Sequence, residues 1–296
     1  MGTAKYSICQ LTTPNSSFEE DLELYESAGA TGISICEIKL REGEDAAILE
    51  AFRASSLTAP ICIGACNSPL PAEPAFPGPQ DLDTRLELIC QSLRRMAPFG
   101  VVDAIMTTGK RLGTAADVDR RAAVEGFREI ARVADGLGMR VSLEPVRNDL
   151  GLDVTLATTL PEALSILDEI GASNVNICYD VYHLWDTPDI VALTRAHAAE
   201  IGCVHVADWR SDNTRGWADR ALPGEGVIDL PALFSALQAG GYDGWYDLEI
   251  FSEIDYPDSL WKLPPEEMLS RSTAGFWNAW TAAAEVRRRD ALADRG

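Results

Sequence analysis

Positive charge is scarce in this chain. Across 296 residues, 25 Lys and Arg face 46 Asp and Glu, for a net charge of -21. Phosphate backbones are bound by clustered Lys and Arg, so nucleic acid is excluded as a partner. Histidine is scarcer still, with three residues: His183, His197 and His205. Seven cysteines (Cys9, Cys36, Cys62, Cys66, Cys90, Cys178 and Cys203) contain no Cys-x-x-Cys pair and sit mostly in apolar runs. They read as small buried hydrophobes of a reducing compartment. No stretch is long and apolar enough to span a bilayer, and the opening MGTAKYSICQ lacks a signal peptide's apolar run. A cytoplasmic protein without a membrane partner is expected.

What the chain does have is alternation of short apolar runs with helical segments. Strand-like runs fall at 5–13, 32–40, 59–68, 102–110 and 139–145, and again in NVNICYDVYH, CVHVADWR and GWYDLEIF. Helix signals lie between them. Ser17 caps a segment with Glu19 and Glu20 in its first turn, Asp81 opens another, and Thr114 is the expected cap of a helix at 116–137. Thr159-Leu160-Pro161 and Gly171 bracket one more, Pro188 is expected to begin the next, and further helices are expected from about Leu230 and over 265–290. Eight short strands alternating with helices predict an α/β fold, a (β/α)8 TIM barrel in a single domain over 1–296. An open doubly wound sheet is the alternative, but a Gly-x-Gly-x-x-Gly turn is absent after the first strand. The segment 67–80 holds five prolines and follows a strand's C-terminal end, which suggests a wall or lid.

In a parallel barrel, polar residues at the C-terminal ends of strands point into one shared mouth. Glu144, Asp180, His205 and Glu249 occupy four such ends and are candidate ligands of one divalent cation. A buried carboxylate needs a cation or an Arg, so a structural ion pair with Arg147 is the competing reading for Glu144. His183, three residues past Asp180, reads as a substrate contact or a group that orients a ligand. Asp208 and Arg210 follow His205 closely; Asp208 is expected to orient a ligand or hold Arg210, and Arg210 to grip a substrate hydroxyl or carboxylate or to form a loop ion pair. His197, mid-helix, reads as surface. Trp185, Trp209, Trp217 and Trp245 lie near loops or strand ends, where indoles stack on sugars or simply fill space. Three carboxylates and one imidazole suit Mn2+ best, with Mg2+ or Co2+ as alternatives.

An ordered set of short motifs carries a resemblance: Leu-Glu-Pro at 143–145, Asp180-x-x-His183, His205-x-x-Asp208, Pro-Gly-x-Gly at 223–226, and Gly-Tyr-x-Gly at 241–244 leading to Leu-Glu at 248–249. With these the chain resembles the xylose isomerase-like TIM-barrel superfamily of sugar isomerases and epimerases, including tagatose 3-epimerases and inosose isomerases. The resemblance implies metal ligation by Glu144, Asp180, His205 and Glu249. It further implies proton transfer by the two glutamates on opposite faces of the substrate, and a substrate contact at His183.

The activity so implied is isomerisation or epimerisation of a sugar or ketosugar by proton abstraction beside a carbonyl, through a metal-stabilised enediolate. Lyases of the superfamily, the ketosugar dehydratases and C-glycoside deglycosidases, are the alternative, and a non-catalytic sugar-binding barrel is a third reading. The expected partner is a small carbohydrate. A homo-oligomer or a small partner subunit stays open, the latter because deglycosidase catalytic subunits work beside one. Endonuclease IV-type repair enzymes share the fold, but their three-zinc cluster needs more than three histidines.

Overall fold

The computed structural model describes residues 4–72, 78–110, 112–113, 115–213 and 215–293. Its strands are β1 (Lys5–Cys9), β2 (Gly32–Cys36), β3 (Thr58–Ile63), β4 (Asp103–Met106), β5 (Arg140–Leu143), β6 (Val175–Asp180) and β7 (Ile201–Val206). The two-residue β8 (Asp208–Trp209) and β9 (Arg220–Ala221) follow, then β10 (Trp245–Leu248). All except β8 and β9 join side by side into a closed barrel of eight strands, with β1 closing against β10. Each neighbouring pair in the barrel is parallel. Closure removes sheet edges and sends every strand's C-terminal end to the same mouth.

The helices are α1 (Phe18–Ser27), α2 (Asp45–Ala54), α3 (Leu82–Met96), α4 (Ala116–Gly136), α5 (Leu160–Ile170), α6 (Val181–Leu184), α7 (Ile190–Ala196), α8 (Leu230–Ala239) and α9 (Pro265–Ala293). Local signals set several of their ends. Ser17 with Glu20, and Thr159 with Glu162, form reciprocal capping boxes, and Asp81 and Asp229 cap α3 and α8. Gly171 ends α5 in the left-handed conformation at φ 65. The cap expected of Thr114 lies outside the described residues. α4 turns Val124, Phe127, Ile130 and Ala131 inward at helical spacing, which is why a helix with Asp, Glu and Arg on its outer face docks here.

Inside the barrel the strands carry mainly small side chains. Cys9, Cys36, Cys178 and Cys203 pack with Ile61, Ile63 and Ile105 into a compact apolar layer, and all seven cysteines are buried free thiols. Ser7, Ser34, Ser142 and the carboxyls of Asp103 and Asp247 are buried as well.

Several expected boundaries shift. The runs 5–13 and 32–40 end as strands at Cys9 and Cys36, because the chain tightens into 3-10 turns at Gln10–Thr12 and Glu37–Lys39. The helix expected from Pro188 starts at Ile190, since Asp189 takes a left-handed φ of 58. The one-turn α6 and the β8–β9 ribbon were not expected, and both shape the site. No described helix is long and apolar enough to cross a membrane.

Candidate metal centre and substrate pocket

Alternation along each strand brings the four acidic and imidazole candidates together. Side chains two apart share a face, so Asp180 follows Cys178 into the barrel, His205 follows Cys203, and Glu249 follows Asp247. Asp180 is in register with His205, and His205 with Asp247. One donor atom each from Glu144, Asp180, His205 and Glu249 lies within 4.8 Å of the others. His205 Nδ1 is 3.1 Å from Glu144 Oε1 and 3.3 Å from Glu249 Oε2. Its other nitrogen points at Asp247 Oδ2, 3.7 Å away and beyond hydrogen-bond distance, and neither of these atoms has a hydrogen-bond partner among the described residues. A carboxylate behind a ring nitrogen fixes which nitrogen faces the metal position.

The electrostatics follow from this convergence. Burial alone would discharge His205, but Glu249 and Glu144 outweigh it and hold its pKa well above the usual imidazole value. Burial raises Glu144, against the pull of His205. Burial would raise Glu249 too, but His205 and Arg220 bring it down to about 2. Burial lowers His183 to about 4, so it is neutral near pH 7; its Nε2 is 3.6 Å from Asp180 Oδ2. Three carboxylates crowded into one buried site call for concentrated positive charge, and a hard divalent cation fits that donor set.

Arg220 was missed in the sequence and is central here. Its guanidinium is buried, with Nη2 3.0 Å from Asp180 Oδ2 and Nη1 3.1 Å from Glu249 Oε2, and it lies over the ring of Tyr182 at 4.5 Å. A single Arg just before a Pro-Gly-x-Gly turn in so acidic a chain was the available signal.

The expectation for Asp208 is corrected, while Arg210 takes the loop ion pair, one of its two expected readings. Asp208 reaches neither a ligand nor Arg210, because its carboxylate is used up by backbone: it accepts from the N–H groups of Trp209 (2.8 Å), Gly224 (2.9 Å) and Ile228 (2.9 Å). Gly226 permits this wrapping, since a Cβ there would stand 2.3 Å from Asp208 Oδ1. Arg210 is engaged by Asp258, at 2.6 Å, and by Asp219, at 3.5 Å, in a loop ion pair. The His-x-x-Asp and Pro-Gly-x-Gly motifs are thus two halves of one loop anchor. The anchored loop includes β9, which begins with Arg220.

Arg147 bonds Asp149 and Asp186 and stacks on Trp209, leaving Glu144 to His205. His197 is a partly exposed residue beside Glu200. Of the tryptophans, Trp217 lines the pocket; Trp185 and Trp209 pack on each other, and Trp245 packs inside the barrel against the Cys and Ile layer.

Beside the four converging side chains lies a pocket lined by Glu144 and Glu249. His183 and Arg220 face it from one side, and Asn67 and Thr107 line it as well. Its roof is a small apolar cluster of Ala72, Val146, Leu152 and Val154 with Trp217 packed on it, drawn from the loops after β3, β5 and β8. Of the Pro-rich segment 67–80, residues 73–77 lie outside the described residues. Its start is tied down: Arg85, fully buried, donates to Ser68 O and Oγ, and Leu70 N bonds Thr108 O.

Comparison with known proteins agrees with this architecture. The chain is 25% identical over 267 residues to an inosose isomerase of Bacillus velezensis, covering 87% of this chain and 90% of that protein. It is 30% identical over 154 residues to an L-ribulose 3-epimerase of Mesorhizobium japonicum, an alignment that spans 51% of this chain and 44% of that one. The crystal structure of the IOLI protein with a bound zinc atom superposes with a TM-score of 0.77 at 21% identity, over 94% of this chain and 98% of that one, a likeness of fold. The family model described as xylose isomerase-like TIM barrel matches residues 22–279, and the chain belongs to that family.

Proposed function

We propose that this protein is a divalent-metal-dependent isomerase or epimerase of a small keto sugar. The observation that carries the reading is the convergence of Glu144, Asp180, His205 and Glu249 within 4.8 Å, beside a pocket that Glu144 and Glu249 line. Relatives named inosose isomerase, L-ribulose 3-epimerase and ketose 3-epimerase support the same chemistry. Those four side chains would hold the cation, Mn2+ being the best match to the donors, and when bound it supplies Lewis-acid polarisation of a carbonyl.

The chain's own groups supply the rest. Glu144 and Glu249 stand directly after β5 and β10, with β6 and β7 between those strands, so they approach a bound carbon from different sides. One takes the proton beside the carbonyl and the other returns a proton to the opposite face, which inverts the centre. Glu144, raised by burial, is the better matched base; Glu249, held low by His205 and Arg220, needs those charges drawn elsewhere to gain basicity. His183, neutral and buried, donates or accepts a hydrogen bond at a substrate oxygen, and Arg220 offers N–H groups beside it. Two glutamates from separate strand ends suffice for isomerisation, which favours it over the lyase alternative.

Deuterium uptake from D2O at carbon, followed by NMR with free ketoses, inososes and 3-keto-glycosides in the presence of Mn2+, tests this. Exchange that depends on metal and on Glu144 is expected. Exchange that persists in chelator, or in Glu144→Gln, would remove the reading.

A further inference from the structure

Two polar groups of the pocket have no task in the scheme above. Asn67 lies just beyond β3 and Thr107 directly beyond β4, on the arc of the barrel opposite β7 and β10. Both line the pocket, with 4% and 1% of their surface exposed. Asn67 Oδ1 and Thr107 Oγ1 have no hydrogen-bond partner among the described residues. Buried polar atoms left unpaired are destabilising, so a pair lining one cavity marks groups whose partners arrive with a ligand or its water. The backbone holds them together, because Thr107 N donates to Asn67 O at 3.0 Å.

The remainder of the lining sets the ligand's other end. The roof cluster of Val146, Leu152, Val154 and Trp217 is hydrocarbon, and Phe251 extends it. Arg220 is the one Lys or Arg among the lining residues, and it is already shared between Asp180 and Glu249. A phosphate under this roof would lie beside the carboxylates of Glu144 and Glu249 and an apolar ceiling, with no other cation among the described lining residues. Desolvating its charge there is strongly unfavourable. A terminal methyl or methylene instead gains favourable apolar contact with the roof.

We propose that the site takes an uncharged keto sugar whose terminal carbon is deoxygenated, and that Asn67 and Thr107 select it by hydrogen-bonding hydroxyls on the side turned away from Arg220. The inference rests on the sugar isomerase or epimerase reading and adds the substrate class to it.

A matched series separates the two claims: a ketohexose, its 6-deoxy analogue and its 6-phosphate, each assayed for carbon deuteration with the Mn2+-loaded full chain, and each titrated by calorimetry. The 6-deoxy sugar is expected to exceed the parent about tenfold in kcat/KM, and the phosphate to fall about 100-fold below the parent. Thr107→Val and Asn67→Ala are each expected to raise KM and the calorimetric Kd about fivefold to tenfold, with Mn2+ affinity unchanged. Asn67→Ser, which keeps a hydroxyl, is expected to recover part of the loss. Exchange with the phosphate as good as with the deoxy sugar, or Kd values in Thr107→Val and Asn67→Ala within twofold of wild type, would overturn this inference while leaving the isomerase reading in place. Exchange with no sugar of the series or of the wider panel would remove both.

Discussion

Arg220 Nη2 lies 3.0 Å from Asp180 Oδ2, an ion pair enclosed on all sides, while the neighbouring Nη1 reaches Glu249 at 3.1 Å. One guanidinium therefore braces two of the four candidate ligands, and it does so from a loop with no barrel strand of its own. Arg220→Met is expected to leave two buried carboxylates short of one counter-charge. In chelator-treated protein this should lower stability by about 3–5 kcal/mol, the usual effect of removing one partner of a buried pair. Added Mn2+ should recover much of that loss. Melting curves with EDTA and with Mn2+ check this; equal destabilisation in both would separate Arg220 from the carboxylates.

The four converging side chains should respond as one set. Glu144→Gln, Asp180→Asn, His205→Ala and Glu249→Gln are each expected to weaken Mn2+ binding by ~100-fold or more, at or beyond the upper end of the 10–100-fold typical of groups that merely orient ligands. His197→Ala, whose imidazole sits beside Glu200 on the outer surface, should bind like wild type. Metal analysis after dialysis decides, and full occupancy in any two of the four variants would dissolve the set.

His183 gives a pH signature. Its pKa is lowered from 6.5 to about 4 by burial, so between these values the unfolded chain binds a proton that the folded chain refuses. Stability from this residue is complete above pH 6.5 and is lost as pH falls towards 4, by up to roughly 3 kcal/mol. Wild type should therefore lose stability faster than His183→Asn on going from pH 7 to pH 4.5 in chelator. Parallel urea-unfolding curves at the two pH values would contradict it.

Asp208 serves the loop rather than the ligand. Asp208→Ala should free three backbone N–H groups, lower stability by about 3 kcal/mol and speed proteolysis across 210–219, while Mn2+ affinity stays within threefold of wild type. A metal affinity that collapsed as it does in His205→Ala would return Asp208 to the centre itself.

These residues also show what a sequence exposes. The barrel was legible because strand and helix periods alternate eight times, and the acids at 144, 180 and 249 stand out as charges ending apolar strands. Arg220, Asn67 and Thr107 were not legible. Their positions come from loops, and loop paths are set by contacts such as Asp208 with Gly224 and Arg85 with Ser68, which link residues 16 and 17 apart without any periodic pattern. Asp208 misled for the same reason: closeness in sequence to His205 does not fix where a side chain points once the strand has ended. The strand ends moved because 3-10 turns at Gln10 and Glu37 continue the apolar composition without the extended backbone.

The same loop anchor has an outer attachment. α9 passes behind the turn at 223–226, where a Cβ on Gly275 would stand 1.8 Å from Pro223 O, so helix and turn meet backbone to backbone. Arg271 on that helix clasps Glu225 at 2.8 Å from the same side. The last helix is consequently a backstop for the candidate site: the grip that sets Arg220 is transmitted from the rear of the molecule, and the position of Gly275 there admits no side chain.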